Sequence, residues 1–243
     1  NVTMLLSLLS SGDPKSTVIS LLISLPVILF ALSIHEVAHG FAAYKCGDRT
    51  AYNLGRLTLN PLKHLDPMGF LCMLVFGFGW AKPVPVNTRN FKNHKKGMAI
   101  TAAAGPAANL VAGTLSAALY GICLAWYSYA YFTAKSEFIV MLAFWCAQLF
   151  FMSALLNFVY MVFNLIPIPP FDGSRIALVF LPERTYFGIM KYERQIMMGL
   201  LVALLVLSYA FDFSPFGFLA EKLTDLISRP IAELFLRLFA KAI

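Results

Sequence analysis

Long runs of apolar residues, separated by short polar stretches, make up most of the chain. The first run covers Ser16 to Ile34, and its helix is expected to continue to Tyr44. Two further runs cover residues 98 to 121 and 138 to 163, and a shorter run covers residues 195 to 211. Since a helix needs about 20 predominantly apolar residues to cross a bilayer, each run is predicted to be a membrane span.

Two segments depart from this pattern. Met68 to Trp80 is apolar but too short for a span, and it predicts a re-entrant or β-hairpin segment. In residues 216 to 242, apolar side chains recur at helical spacing opposite charged ones, which is typical of a helix lying in the membrane interface. The fold class predicted is an all-α polytopic membrane protein, a bundle of about four to six transmembrane helices. Residues 1–212 are predicted to form the membrane-embedded core, and residues 213–243 are predicted to form an amphipathic, interfacial C-terminal helix.

Composition supports the membrane class and excludes a water-soluble globule. The chain is 59% hydrophobic and 13% charged, whereas soluble domains are about 25% charged. The net charge of +7 does not form a basic stripe interleaved with aromatic residues, so no nucleic acid partner is predicted. The four cysteines are scattered and include no C-x-x-C pair, which argues against a thiolate metal site or a disulfide framework.

The basic residues lie in short loops between the apolar runs. Loops with excess Lys and Arg mark the cytoplasmic ends of membrane spans. The loops after the first run, before the second and before the fourth are therefore predicted to be cytoplasmic. Their basic residues are Lys45, Arg49, Lys92, Lys95, Lys96, Arg184, Lys191 and Arg194.

The motif with the clearest chemistry is His35-Glu36-Val37-Ala38-His39. Residues four apart on a helix lie on the same face, so both imidazoles can bind one zinc ion, with Glu36 as a general base beside it. A chance H-x-x-x-H pattern is the alternative. Ionisable groups at the end of an apolar span are energetically costly, however, and this favours a functional site.

A third ligand is required for a catalytic zinc site, and Asp172 is the best candidate. It lies in a Pro-rich stretch at the cytoplasmic end of the third run, at the depth expected for the histidines. Its alternative role is the N-cap of a helix over residues 174 to 181. The residue type and position leave both possibilities open.

Taken together, these motifs resemble the site-2 protease family of intramembrane zinc metalloproteases, in particular its small bacterial branch without PDZ or CBS domains. The resemblance covers about residues 17 to 185. It rests on H-E-V-A-H-G, G-R-L-T-L-N-P-L-K-H-L-D-P-M-G, F-G-W-A-K-P-V-P-V-N, A-G-P-A-A-N-L and N-L-I-P-I-P-P-F-D-G.

The resemblance implies one zinc ion held by His35, His39 and Asp172, with Glu36 as the catalytic base. Asn164 matches a family asparagine expected to stabilise an oxyanion or to position substrate. Expected partners are transmembrane substrates and the lipid bilayer, in a bacterial inner membrane with the active site toward the cytoplasm. A metal transporter and a catalytically inactive membrane scaffold are the alternative functions. The sequence gives no indication of oligomeric state.

Three further positions carry weaker signals. His64 is interpreted either as a neighbour of the site or as an interfacial loop residue, and Asn109 either as a hydrogen-bond partner near the site or as a packing residue. The extended stretch around Val84 and Val86 is hypothesised to offer an edge to an unwound substrate by strand addition.

Overall fold

The structure is a computed structural model that describes residues 14–76, 79–133, 136–210 and 215–239. These residues are predominantly helical, and among them the only β-type pairing is a single antiparallel bridge between Leu65 and Ala81. Short 3₁₀ helices occupy Pro61–Lys63 and Thr88–Asn90. The α-helices in chain order are α1 (Pro14–Cys46), α2 (Thr50–Asn53), α3 (Pro67–Phe76), α4 (His94–Thr133), α5 (Glu137–Asn164), α6 (Asp172–Leu178), α7 (Glu183–Met190), α8 (Glu193–Ala210) and α9 (Pro215–Phe239).

Three helices in the described part of the chain are long and apolar enough to cross a membrane: α1 from Ile23 onward, α4 and α5. The prediction of an α-helical integral membrane protein is thereby confirmed. The predicted fourth span is a helix of 18 residues, α8, which is not among these three. The predicted total of four to six spans is therefore not confirmed.

Small residues let the three long helices approach closely. Helix α4 packs against both α1 and α5. Its buried positions are mostly glycine, alanine and serine, and α5 contributes Ala143, Ala147 and Ala154. In lipid, where hydrophobicity does not drive helices together, close packing of this kind supplies the association energy. Ala102 and Gly105, near the start of α4, are part of this contact.

The segment predicted as a re-entrant loop or β-hairpin contains α3, an α-helix of ten residues. Pro67 occupies its first position, where a missing N–H costs nothing. The Asp66 side chain accepts a hydrogen bond from the Gly69 N–H at 2.8 Å. An N-cap acid followed by proline is a helix-start signal. It explains why this segment is a helix, although its short length suggested a hairpin. Entry of this helix into the membrane stays a prediction.

An extended segment, residues 81–87, crosses the C-terminal half of α1; we call it the strap. The Arg56 guanidinium donates to the Lys82 carbonyl at 3.0 Å at one end. At the other end, the Asn87 N–H donates to Asp48 Oδ2 at 2.7 Å. Gly40 permits the approach, since a Cβ there would lie 2.9 Å from Val84 Cγ1. The strap is therefore fastened at both ends to the region that follows the His35-to-His39 motif.

Asp48 holds the Asn87 end of the strap in place. It is fully buried and also accepts hydrogen bonds from Thr50 and from the Asn90 amide, the latter at 2.7 Å. Burial by itself would raise the pKa of Asp48, but the bonds from Thr50, Asn87 and Asn90 outweigh it and lower the pKa below its usual value. Asp48 is thus an ionised, fully bonded buried carboxylate at neutral pH.

Two of the loops predicted to be cytoplasmic, those that follow α1 and precede α4, lie together at one end of the bundle. The Lys92 N–H donates to the Cys46 carbonyl at 3.3 Å, so the end of α1 meets the approach to α4. Helix α5 runs back to the same end, and α6, which follows it, packs against α4. This places the start of α6 beside the motif on α1.

Candidate metal centre

Three side-chain donor atoms converge at this end of the bundle. His35 and His39 come from successive turns of α1, and Asp172 is the first residue of α6. His35 Nε2 lies 3.0 Å from His39 Nε2 and 3.0 Å from Asp172 Oδ2, and His39 Nε2 lies 3.1 Å from Asp172 Oδ2. Across the described residues this is the one group of three side chains whose geometry can hold a metal ion.

The spacing of the three atoms matches a tetrahedral metal site. Ligand atoms about 2.0–2.2 Å from a tetrahedral zinc ion lie about 3.3–3.6 Å from one another. The sides of the observed triangle, 3.0–3.1 Å, are slightly shorter than these distances. Two imidazoles and one carboxylate are also a donor set used in catalytic zinc sites, where the fourth position stays open for water or substrate.

The other ring nitrogen of each histidine, Nδ1, already makes a hydrogen bond. His35 Nδ1 lies 2.5 Å from Asn109 Oδ1, and His39 Nδ1 lies 2.7 Å from the Thr101 carbonyl oxygen. A carbonyl oxygen can only accept, so each Nδ1 carries a proton, and the neutral form of each ring presents a lone pair at Nε2. In that form two lone pairs and a carboxylate face one point, an arrangement that suits a cation.

A glycine leaves room for that charge. Gly105 of α4 faces the histidine pair, and a Cβ built there would lie 2.5 Å from His39 Nε2 and 2.6 Å from His35 Nε2. The space above both nitrogens is therefore bounded by a residue with no side chain. The donor set, the tautomers and this cradle all fit a bound metal ion.

The centre is shielded from water. The side chains of His35, His39 and Asp172 are 7%, 12% and 15% exposed. Asp172 Oδ2 lies within 3.1 Å of both Nε2 atoms, and a metal ligand at this position must be a carboxylate. Its side chain faces the histidines, as expected of a ligand, although it also begins α6.

Glu36 lies beside the triangle but makes a different contact. Its Oε2 accepts a hydrogen bond from the Val84 N–H at 2.7 Å, so the middle of the strap is tied to the carboxylate. Asn164, at the end of α5, donates from Nδ2 to the Tyr160 carbonyl at 3.0 Å. The structure thus brings His35, His39 and Asp172 together, with Glu36 held by the strap and Asn164 bonded to its own helix.

The structure places Asn109 and His64, the two residues whose roles the sequence left undecided, in different surroundings. Asn109 is fully buried and contacts His35 directly. His64 is 2% exposed and bonds through Nε2 to the Thr58 carbonyl at 2.7 Å, away from the triangle. The contacts made by the Thr101 carbonyl and the Val84 N–H were not predicted, and because both are main-chain groups, no residue type signals them.

Comparisons with known proteins identify the family and two relatives of the chain. Residues 23–208 match the family model described as peptidase family M50. The chain is 43% identical over 149 residues to "Putative zinc metalloprotease YwhC" of Bacillus subtilis strain 168, a match covering 61% of this chain and 64% of that protein. It is 34% identical over 151 residues to "Putative zinc metalloprotease Rip2" of Mycolicibacterium smegmatis, covering 60% and 52%.

The chain thus aligns with less than two thirds of the length of either relative. No solved structure matches. The family model nevertheless covers most of the chain and includes all of α1 from Ile23, together with α4, α5 and α6. The chain therefore belongs to peptidase family M50, the site-2 protease family that its motifs resemble.

Proposed function

We propose that the protein is a zinc-dependent endopeptidase that cleaves transmembrane segments of other membrane proteins. His35, His39 and Asp172 would hold the zinc ion, and Glu36 would be the catalytic base. The observation that carries the proposal is the triangle of Nε2, Nε2 and Oδ2 atoms at 3.0–3.1 Å, with both Nδ1 protons directed away from it. The two relatives named as zinc metalloproteases support the choice of metal and reaction.

The chemistry divides between the metal and the chain's own groups. A zinc ion bound here supplies a Lewis acid that lowers the pKa of water and polarises a peptide carbonyl. Glu36 accepts the water proton and delivers it to the leaving amine. Asp172 balances part of the metal charge, and the bonds from Nδ1 of His35 and His39 fix the ring orientations.

The strap holds the proposed base in place. The Val84 N–H donates to one oxygen of Glu36 at 2.7 Å, and Val84 itself is 6% exposed. A carboxylate held by a main-chain N–H keeps one orientation relative to the histidines. Because this N–H is engaged, an incoming substrate strand would have to pair with other groups of the strap, which restricts the strand-addition hypothesis to the neighbouring positions.

Asn164 is proposed to support the developing oxyanion or to position substrate, as the family resemblance implies. Its amide donates to Tyr160 in the structure, so this role requires a rotation of the side chain. Its place at the end of α5, eight residues before Asp172, keeps it on the segment that leads to the centre.

The proposed substrates and orientation follow from the membrane setting. The centre is built on two helices able to span the membrane, α1 and α4, so a substrate must reach it from the bilayer or its surface. We place the site end of the bundle in the cytoplasm of a bacterial cell, because Lys45, Lys92 and Lys95 lie there. Helix α8 is proposed as a further span, and α9 as an interfacial helix.

The experiment compares wild-type protein with Glu36→Gln in detergent, measuring zinc per chain and cleavage of a model transmembrane substrate. About one zinc in both proteins, with cleavage in the wild type alone, is the expected result. Loss of a general base lowers the rate by about 100- to 10,000-fold. Equal cleavage by both proteins would overturn the assignment of Glu36.

The same proteins separate the alternative functions. Metal flux into vesicles that survives Glu36→Gln would identify a transporter, and tight substrate binding without cleavage by the wild type would identify an inactive scaffold. His39→Ala serves as the reference for a lost ligand, with zinc content expected to fall together with activity.

A further inference from the structure

A buried chain of amide groups runs from the metal centre into the helix bundle. Asn109 of α4 and Asn157 of α5 are 0% and 2% exposed. Asn109 Oδ1 lies 2.5 Å from His35 Nδ1, and Asn109 Nδ2 donates to Asn157 Oδ1 at 2.8 Å. Burying two primary amides in a membrane protein is costly unless their donors and acceptors are used, and here they are used on one another and on His35.

Two main-chain carbonyls fix the orientation of both amide groups. Asn109 Nδ2 also donates to the Ala31 carbonyl at 3.2 Å, and Asn157 Nδ2 donates to the Ser153 carbonyl at 2.8 Å. A carbonyl only accepts, so the nitrogen of each amide must face its carbonyl and the oxygen must face the other way. Asn109 Oδ1 is thereby held as an acceptor toward His35, and His35 Nδ1 must donate.

The consequence for His35 is a fixed tautomer and a fixed ring plane. With the proton on Nδ1, the neutral ring has its lone pair on Nε2, which lies 3.0 Å from Asp172 Oδ2. Asn109 also bonds to the Ala31 carbonyl, one turn before His35 on the same helix. It therefore fastens both the backbone turn and the ring of this residue.

The two histidines are supported differently. His39 is oriented by a main-chain carbonyl, that of Thr101, whereas His35 depends on the side chain of Asn109. We propose that Asn109, itself oriented by Asn157, is a positioning residue that presets His35 to bind the metal. The proposal rests on His35 being a zinc ligand, as set out in the proposed function.

The chain offers a matched control for helix packing. Ser116 and Ser153 bond to each other at 2.8 Å between the same two helices, α4 and α5. Ser116 lies two turns beyond Asn109 and is also buried, at 9% exposure. Replacing Ser116 removes an interhelical hydrogen bond without touching the amide chain, so it reports what loss of packing alone does.

The experiment measures zinc affinity by competition with a chelator, and the electronic spectrum of the cobalt-substituted protein, for Asn109→Leu and Ser116→Ala. Leucine matches asparagine in size but removes both the acceptor and the donors. We expect Asn109→Leu to weaken zinc binding by about 10- to 100-fold and to change the cobalt bands, and Ser116→Ala to leave both near wild type. Asn109→Asp keeps an acceptor for His35 and should bind zinc more tightly than Asn109→Leu.

Two results would overturn the inference: wild-type zinc affinity and cobalt bands in Asn109→Leu, or equal weakening by Ser116→Ala. If Asn109→Leu fails to fold, Asn157→Leu takes its place, with a weaker but measurable loss of zinc affinity expected and an unchanged affinity counting against the proposal. His35→Ala distinguishes failure of the proposed ligand set from failure of the positioning role alone. If it binds zinc as tightly as wild type, the proposed ligand set fails. If it loses zinc while the Asn109 variants do not, only the positioning role fails.

Discussion

The two halves of α4 use most of their polar residues in different ways. In the half that begins at His94, the Thr101 carbonyl and the Asn109 side chain bond to residues of other helices. In the half that ends at Thr133, Ser116 bonds to Ser153 of α5, but Ser128 and Thr133 bond back to carbonyls four residues earlier in the same helix. Back-bonding satisfies a hydroxyl without a partner helix.

Exposure of the large side chains follows the same division. The second half presents many large apolar and aromatic side chains outward, among them Leu115, Ile122, Trp126 and Phe132, and buries small residues such as Gly121 and Ala125. The comparison teaches that one helix serves both as lipid-facing scaffold and as one wall of the metal centre. The difference lies in where its polar groups find partners.

The largest effect is expected from adding one methyl group to the first half. In Gly105→Ala the new Cβ would lie 2.5–2.6 Å from both Nε2 atoms, in the space that a metal ion needs. We expect loss of bound zinc and a fall in activity of at least about 100-fold, because the metal supplies several kcal/mol of transition-state stabilisation. Metal analysis and substrate cleavage measure both.

Gly113→Ala is the matched control for that substitution. Its Cβ would meet only the Phe158 ring, at 3.0–3.2 Å, on the same helix but away from the centre. Zinc content near one per chain is expected, with at most a modest loss of stability. Equal loss of zinc in both variants would mean that α4 packing, and not the space above the histidines, determines metal binding.

A smaller effect is expected from Val84→Pro, which removes the N–H that bonds to Glu36. Loss of a hydrogen bond to a charged group costs about 1.5–3 kcal/mol, or about 10- to 100-fold in rate if the bond orients the base. Zinc content should stay near wild type. Val86→Pro separates two explanations, since an equal loss of activity there would favour strand pairing along the strap over positioning of Glu36.

Asp48→Asn tests the anchor of the strap. Because folding lowers the pKa of Asp48 from its ordinary value of 3.8, its contribution to stability is present above that value and is lost as pH falls through the lower pKa of the folded state. At pH 7 the variant should be less stable by about 1–3 kcal/mol. Thermal melting at pH 7 and pH 3 should show a difference at pH 7 that shrinks at pH 3, and a constant difference would contradict the assignment.

The smallest effect is expected in the second half of α4. Leu115 is 62% exposed and faces outward, so Leu115→Ala should change stability by less than about 0.5 kcal/mol and activity by less than about twofold. Melting and cleavage assays measure these quantities. A loss of activity comparable to that of Val84→Pro would show that the outward face of α4 contributes directly to substrate binding.

Sequence reasoning located the parts of the molecule that rest on periodicity and on residue type. The helical spacing of His35 and His39 predicts two rings on one face, and the apolar runs predict α4 and α5. Helix α4 runs to Thr133, beyond the predicted end at residue 121, because the apolar and aromatic residues that follow continue the helix. The length of an apolar run therefore does not by itself mark the end of the helix.

What the sequence left open depends on tertiary placement. By type, Asn109 fits either a hydrogen-bond partner or a packing residue, and only the approach of α1 and α5 makes it a partner of His35 and Asn157. The Val84 N–H and the Thr101 carbonyl are main-chain groups present at almost every position. In α3, by contrast, the Asp66-Pro67 pair did contain a readable helix-start signal.

The most direct test of the account is anomalous diffraction at the zinc absorption edge from crystals of the wild-type protein. The account predicts one strong peak per chain, within about 2.0–2.2 Å of His35 Nε2, His39 Nε2 and an Asp172 carboxylate oxygen. A fully occupied zinc ion bound by other residues, with Asp172 turned away from both rings, would contradict it.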